Sequence, residues 1–430
     1  MGEQLQHQDD AIYDVIITGA GHAGLSISYF LSQHNIRHIV LERGLIGQTW
    51  RSQRWDSFAL NTPNALSVLP GDEYCGDNPE GFSSVAEFIH SLQSYAEKFS
   101  LPVREQTNVL SVEKQSPYFN VATSENGVER NLRCTSIVVA SGCMNEKKVP
   151  PFAKEIPESI VQLHTCTYKN PRQLPDGAVL VVGSAQSGCQ IAEELLQAGK
   201  KVFLASSLVA RVPRRYRGKD IFEWLTLLKF TEMPADKVPD PRILSMTQPQ
   251  VSGIGPLGHT VSLQSLARDG ATILGRLENA DNTTLYFQLN AAQSVHFADE
   301  FSLTVKKMID EFIITSGMDA PENEYDEADQ PDIEASCASD IASLDIKKEG
   351  IGTIIWTTGF TADFSWIHIP VLDKHGLPLH KNGISDVEGL YFIGFPWLRT
   401  RKSGIIYGIR DDAKFIADKI MERLATKVVV

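Results

Sequence analysis

Cysteine is scarce in this chain: six residues in 430, at Cys75, Cys134, Cys143, Cys166, Cys189 and Cys337. None stands in a CxxC or CxxxxC pair, and none joins histidines at the spacing of a metal site. A vicinal redox dithiol and a structural zinc are thereby excluded, and free thiols in a reducing cytosol are expected. Also missing is any run of the ~18 apolar residues that a membrane-spanning helix needs. The first ten residues are polar and acidic, without the cationic start and apolar core of a secretory leader, so a soluble, cytoplasmic protein is expected. Positive charge is short too. Forty Lys and Arg face 53 Asp and Glu, a formal charge of −13, which argues against nucleic acid as a partner.

What the chain does have is length and two glycine-rich turns. Its 430 residues exceed the ~250–300 at which single cores stop growing, so two domains are expected. The first turn reads Asp14-Val-Ile-Ile-Thr-Gly19-Ala-Gly21-His-Ala-Gly24, between a buried-strand pattern and a helical one. Gly19 suits a tight turn, Gly21 the approach of backbone amides to a pyrophosphate, and Gly24 close helix packing. Glu42, after the next apolar run and with Arg43 beside it, suits ribose hydroxyls and a cofactor without a 2′-phosphate. The second turn reads Val179-Leu-Val-Val-Gly183-Ser184-Ala185-Gln186-Ser187-Gly188, with alanine where the middle glycine is usual. No acid closes its second strand; Arg211, Arg214, Arg215 and Arg217 follow instead. Of these, Arg214 and Arg215 are the candidates for a 2′-phosphate, so FAD is assigned to the first turn and NADPH to the second.

The expected fold is α/β, with two Rossmann-like domains and the NADPH domain inserted into the FAD domain. Residues 1–150 and 345–430 make the FAD domain, because strand character returns at 352–358 and 389–393 before a final amphipathic helix at 409–424. Residues 151–344 make the NADPH domain, with an excursion of mixed pattern at about 220–310. The acidic stretch between Asp319 and Asp340 reads as a solvated loop.

Several further segments, in order, resemble the flavin-containing monooxygenase family, which includes the plant indole-pyruvate monooxygenases and lies near the Baeyer–Villiger enzymes. They are Gly47-Gln48-Thr49-Trp50-Arg51, Val138-Val-Ala140-Ser141-Gly142, Leu163-His164 to Tyr168-Lys169, Ile355-Trp-Thr-Thr358-Gly359-Phe360 and Gly389-Leu-Tyr-Phe-Ile-Gly394. The resemblance implies that Gln48, Trp50, Gly142, Gly359 and Gly394 meet FAD. It also implies a mechanism: NADPH reduces the flavin, O₂ adds to it as a C4a-hydroperoxide, and a small organic substrate, a heteroatom compound or 2-oxo acid, is oxygenated. Asn61 is similar to a family asparagine that faces the flavin and is the expected catalytic residue, the competing role being a cap on the turn at Pro63. His164 and Tyr168 are expected between the domains. Trp50, Trp55 and Trp397 suit either pocket or core, and a cation among Arg399, Arg401 and Lys402 suits the anionic reduced flavin. Two other enzymes remain open, an NADPH-dependent flavin oxidase or reductase and a Baeyer–Villiger monooxygenase, as do a catalytically silent nucleotide sensor and a homo-oligomeric state.

Overall fold

The computed structural model describes residues 12–427 apart from 247; the polar N-terminus just discussed lies outside them. β1 (Tyr13–Thr18), α1 (His22–Gln33) and β2 (His38–Leu41) form the first strand-turn-helix-strand unit. Val15, Ile16 and Ile17 expose nothing, as befits a parallel strand covered on both faces. Pairing continues in parallel to β3 (Val103–Arg104) beyond β2, and to β6 (Val128–Val139) on the other side of β1. The first half of β6 closes an antiparallel meander with β4 (Thr107–Gln115) and β5 (Tyr118–Glu125). Its second half pairs in parallel with a late strand, Leu390–Phe392. The last helix, Ile409–Lys427, packs on α1, so the C-terminal segment does rejoin the first sheet. A short helix, α2 (Gln48–Ser52), follows β2.

The second sheet is parallel throughout. It comprises β7 (Val161–His164), β8 (Ala178–Val182), β9 (Val202–Ala205), β10 (Thr272–Leu274) and β11 (Ile351–Trp356), in the order β10-β9-β8-β11-β7. α3 (Gln186–Gln197) follows β8 across the second glycine turn. The boundary expected at 345 therefore moves, because β11 is hydrogen-bonded between β8 and β7 in the second sheet. A strand buried on both faces carries no mark of which parallel sheet will take it. The excursion is not all insertion either, since β10 is an edge strand of this sheet.

The excursion also contains a helix of 26 residues, α4 (Ala291–Ser316), which the mixed pattern concealed. Its inner face buries Ser294, Asp299 and Ser302 among Val295, Ala298, Val305 and Ile309. Asp299 and Ser302 face a buried arginine, Arg211, whose guanidinium lies 2.7 Å from Asp299 and 2.6 Å from Asp329. Asp329 belongs to the acidic stretch expected to be solvated, yet its side chain is 4% exposed.

The two crossings between sheets run side by side. Glu146–Lys147 and Phe360–Thr361 pair as an antiparallel ribbon, Lys148 N donates to Gly359 O at 3.1 Å, and Thr358 Oγ1 bonds Lys148 O. Among the described residues no helix is long and apolar enough to cross a membrane.

Candidate functional site

At the carboxyl edge of the first sheet lies a cavity of about 240 Å³. Gly19, Gly21, Glu42, Gln48, Trp50, Gly142 and Gly394 line it. Gly19 has φ +100°, and a Cβ there would stand 2.7 Å from Ala140 O. At Gly24 a Cβ would come within 1.9 Å of Gly19 O, so only glycine lets α1 pack this closely on β1. Gly21 differs: φ is −83° and a Cβ would meet nothing within 4 Å. Its lack of a side chain keeps the mouth of the turn open, at the helix end where unpaired N–H groups favour an anion. Glu42 is buried, and its carboxylate accepts from Ala20 N at 2.8 Å and Gly44 N at 3.0 Å. The backbone thus aims it at the cavity.

Sequence reasoning did not single out four polar or cationic contributors to this wall, His22, Ser141, Cys143 and Arg54. His22 Nε2, Ser141 Oγ and Arg54 Nε are all buried without a partner. Burial pulls the His22 pKa down to about 4, so its ring is neutral near pH 7. A cavity with orphaned donors, a helix N-terminus and a carboxylate fits a ligand that carries phosphate, ribose and a polar ring. Gly404 also lines it, with φ +83°; a Cβ there would press on the backbone of Phe395 and Pro396. Two expected FAD residues stand elsewhere. Arg43 is exposed outside the wall, and Gly359 sits in the interdomain ribbon, where its carbonyl accepts from His164 Nε2 at 2.9 Å.

The second turn repeats the first. Gly183 N bonds Ala205 O as Gly19 N bonds Leu41 O. Gly183 has φ +110°, and a Cβ at Gly188 would lie 1.9 Å from Gly183 O. Ala185 heads α3 at φ −76°, ψ −177°, against −83° and −175° for Gly21 in front of α1. That conformation is open to any residue, so the alanine leaves the turn undistorted. Ser184 is buried, its hydroxyl accepting from Ser207 N at 3.0 Å, and Ser187 is half-buried. Gln186 is clasped by a loop, donating to Ser252 O at 2.5 Å and accepting from Val251 N at 2.9 Å. The same loop is pinned by Glu193, which accepts from Ile254 N and pairs with His259 at 2.6 Å. That pairing raises the His259 pKa above its ordinary value. Ser206 follows β9 where Glu42 follows β2.

The arginines expected at a 2′-phosphate are engaged with carboxylates. Arg214 has a side chain 1% exposed; it pairs with Asp220 at 2.5 Å and donates to Asn61 O at 2.8 Å, its guanidinium 4.6 Å from the Phe82 ring. Arg215 is exposed and pairs with Glu80 at 3.0 Å, and Arg217 pairs with Asp310. Arg214 is therefore enclosed by protein groups, and Arg215 is held at the surface by Glu80. The sequence run conveys charge but not which carboxylates fold back onto it.

Between the two turns, Asn61 Oδ1 accepts from Gln190 of α3 at 3.3 Å, so the residue links the domains. It is not part of the cavity wall. Tyr168 is fully buried and donates to Glu194 at 2.5 Å; Ser57 donates to the same carboxylate at 2.7 Å. Lys169 Nζ reaches the carbonyls of Ser52 and Arg54 at 3.1 and 2.7 Å. Trp55 is core, 1% exposed, while Trp397 is buried beside the wall residue Pro396 with φ +56°.

A family model described as pyridine nucleotide-disulphide oxidoreductase matches residues 16–217. An uncharacterized CzcO-like oxidoreductase of Geobacillus kaustophilus is 32% identical over 412 residues, 95% of this chain and 99% of that protein. The probable indole-3-pyruvate monooxygenase YUCCA9 of Arabidopsis thaliana is 29% identical over 224 residues, 49% of this chain and 53% of that one. Among solved structures, a flavin-containing monooxygenase from Stenotrophomonas maltophilia matches with a TM-score of 0.62 at 18% identity, covering 96% of this chain and 99% of that chain.

Proposed function

Given that the chain belongs with the CzcO-like oxidoreductases, we propose that it is a flavin-dependent monooxygenase, which holds FAD at the first turn, takes hydride from NADPH at the second, and transfers one atom of O₂ to a small organic substrate. The observation that carries this reading is the polar cavity closed by Gly19, Glu42 and the orphaned donors, beside a second turn of the same geometry. When bound, the flavin supplies hydride acceptance and oxygen activation through a C4a-hydroperoxide; the protein supplies binding, orientation and exclusion of water. The amides at the N-terminus of α1 hold the pyrophosphate, and Glu42 the ribose hydroxyls. Gln48, Trp50, Gly142 and Gly394 shape the wall along the rest of the cofactor.

Arg214 and Arg215 no longer support NADPH over NADH. Ser206 does, because a serine in the place of Glu42 puts no negative charge against a 2′-phosphate. At Asn61, the oxygen is engaged by Gln190, which leaves Nδ2 as the donor for an oxygen adduct or substrate. All six cysteines are free and one, Cys143, lines the cavity, so a cysteine pair relaying electrons from the flavin has no support. Tyr168, at the end of the interdomain segment, favours heteroatom or 2-oxo acid oxygenation over Baeyer–Villiger chemistry, whose fingerprint ends in tryptophan.

Rapid mixing of NADPH-reduced enzyme with O₂, followed by absorbance, tests the proposal. A C4a-adduct that outlives mixing is expected, and Asn61→Ala should shorten its lifetime about tenfold, as the loss of one hydrogen bond worth ~1.4 kcal/mol implies. Direct return to oxidised flavin with stoichiometric H₂O₂ would replace the proposal with the oxidase reading.

A further inference from the structure

Arg54 lines the flavin cavity just beyond α2. Its guanidinium carbon lies 4.8 Å from the Trp50 ring centroid and 5.2 Å from that of Phe58. Nη1 donates to Gln53 O at 3.1 Å, and Nε is buried with no partner. Among the described residues no carboxylate pairs with it, in contrast to Arg211, Arg214, Arg215 and Arg217. Burial pulls its pKa down to about 10. A desolvated cation without a counter-ion is costly, by several kcal/mol in general, and this one faces an open cavity.

The position of Arg54 identifies the anion. The pyrophosphate already has its place at the N-terminus of α1, by Gly19 and Gly21. Arg54 lies on the interdomain side instead, its carbonyl held by Lys169 Nζ and its neighbour Ser57 bonded to Glu194 of α3. Hydride transfer requires the redox ring to face the nicotinamide, so the ring end of the flavin belongs on that side. In that step a hydride leaves nicotinamide C4 for flavin N5; the nicotinamide becomes cationic, and the flavin becomes an anionic hydroquinone with its charge spread over N1 and the C2 oxygen. None of the cations of the 396–404 loop lines the cavity: Lys402 pairs with Asp411, Arg399 with Asp412, and Arg401 stacks on Phe230 and Trp397.

We infer that Arg54 is the counter-ion of the reduced isoalloxazine ring. The inference rests on the proposed flavin site, and it concerns the charge of the reduced ring, whatever becomes of oxygen afterwards. Arg54→Met keeps bulk over Trp50 and removes the charge; Arg54→Lys keeps the charge. Sulfite is the probe, because its sulfur lone pair adds to N5 of oxidised flavin and places negative charge on N1 and C2–O without NADPH, O₂ or substrate. Arg54→Met should weaken sulfite binding by at least about tenfold and lower the midpoint potential, and Arg54→Lys should restore both to within about threefold. Unchanged sulfite affinity in Arg54→Met, or equal losses in both variants, would overturn the inference, as would weaker FAD retention with normal sulfite affinity in the loaded fraction. Wild-type enzyme gives a test independent of variant folding. Its dithionite-reduced flavin should keep the anionic spectrum at least about one pH unit below free reduced FAD; a neutral spectrum at the pH of free flavin refutes it. Failure of the C4a-adduct experiment would leave these results untouched.

Discussion

Arg214→Met removes the cation from a pair in which both side chains are 1% exposed. The Asp220 carboxylate left behind has one oxygen already without a partner, so the variant buries an uncompensated charge. Removing one member of such a pair costs ~3–5 kcal/mol, and the lost bond to Asn61 O adds about 1 kcal/mol. For a domain of 150–250 residues each kcal/mol moves Tm by ~2–4 °C, so a drop of roughly 10–20 °C is expected. Adding Asp220→Asn should recover most of it. Asparagine removes the stranded charge and still caps the helix at Phe222 N, which Asp220 now does at 2.9 Å. Melting followed by circular dichroism measures the stability, and steady-state kinetics with NADPH and NADH measure the nucleotide preference. The structural role requires a large loss of Tm and similar KM changes for the two nucleotides. A variant as stable as wild type, with only the NADPH KM raised, would refute the reasoning and return Arg214 to the phosphate.

Gly24→Ala should leave the purified protein with less than about a tenth of its flavin, because the new Cβ collides with Gly19 O; Gly21→Ala, like the natural Ala185, should keep most of it, and the flavin-to-protein absorbance ratio separates the two. His22 titrates near 4 in the folded chain against 6.5 unfolded, so its contribution to stability is complete above pH ~6.5 and is lost as pH falls toward 4. Urea midpoints across that window should show a slope that His22→Gln flattens; parallel profiles would remove His22 as its source. The His259 pKa is raised by Glu193, so the clasp over the second turn is strongest below pH ~6.5 and loosens as pH rises through the folded value. Hydrogen exchange at the Ile254 amide should therefore quicken, beyond its intrinsic rate, between pH 6 and 8 in wild type but not in His259→Gln.

The two turns were legible because they are local. Gly24 and Gly188 have their nearest contact within their own strand-turn-helix unit, at Gly19 O and Gly183 O, while Gly19 and Gly183 also abut the ends of neighbouring strands at Ala140 and Thr357. Ala185 looked like a defect in sequence and proves harmless, since the position uses a backbone conformation that any residue adopts. What could not be read depends on distant partners. Arg211 and Arg214 look like a phosphate site until Asp299, Asp329 and Asp220 close on them. Polar residues also hide α4: Asp299 and Ser302 of that network, together with Ser294, occupy the face where a helical pattern needs apolar residues. Arg54 stands in no motif; its significance comes from the lack of a carboxylate partner among the described residues. β11 was recognised as a strand and assigned to the wrong sheet, which buried parallel strands invite.

The ribbon of Glu146–Lys147 against Phe360–Thr361 makes the nucleotide domain a cassette. Entry and exit lie one hydrogen bond apart, Lys148 N to Gly359 O, so a short turn spliced from 147 to 360 would bridge the excised segment without stretching the first sheet. A domain tethered at neighbouring strands can be replaced as one unit, with the first sheet and its cavity left as they are.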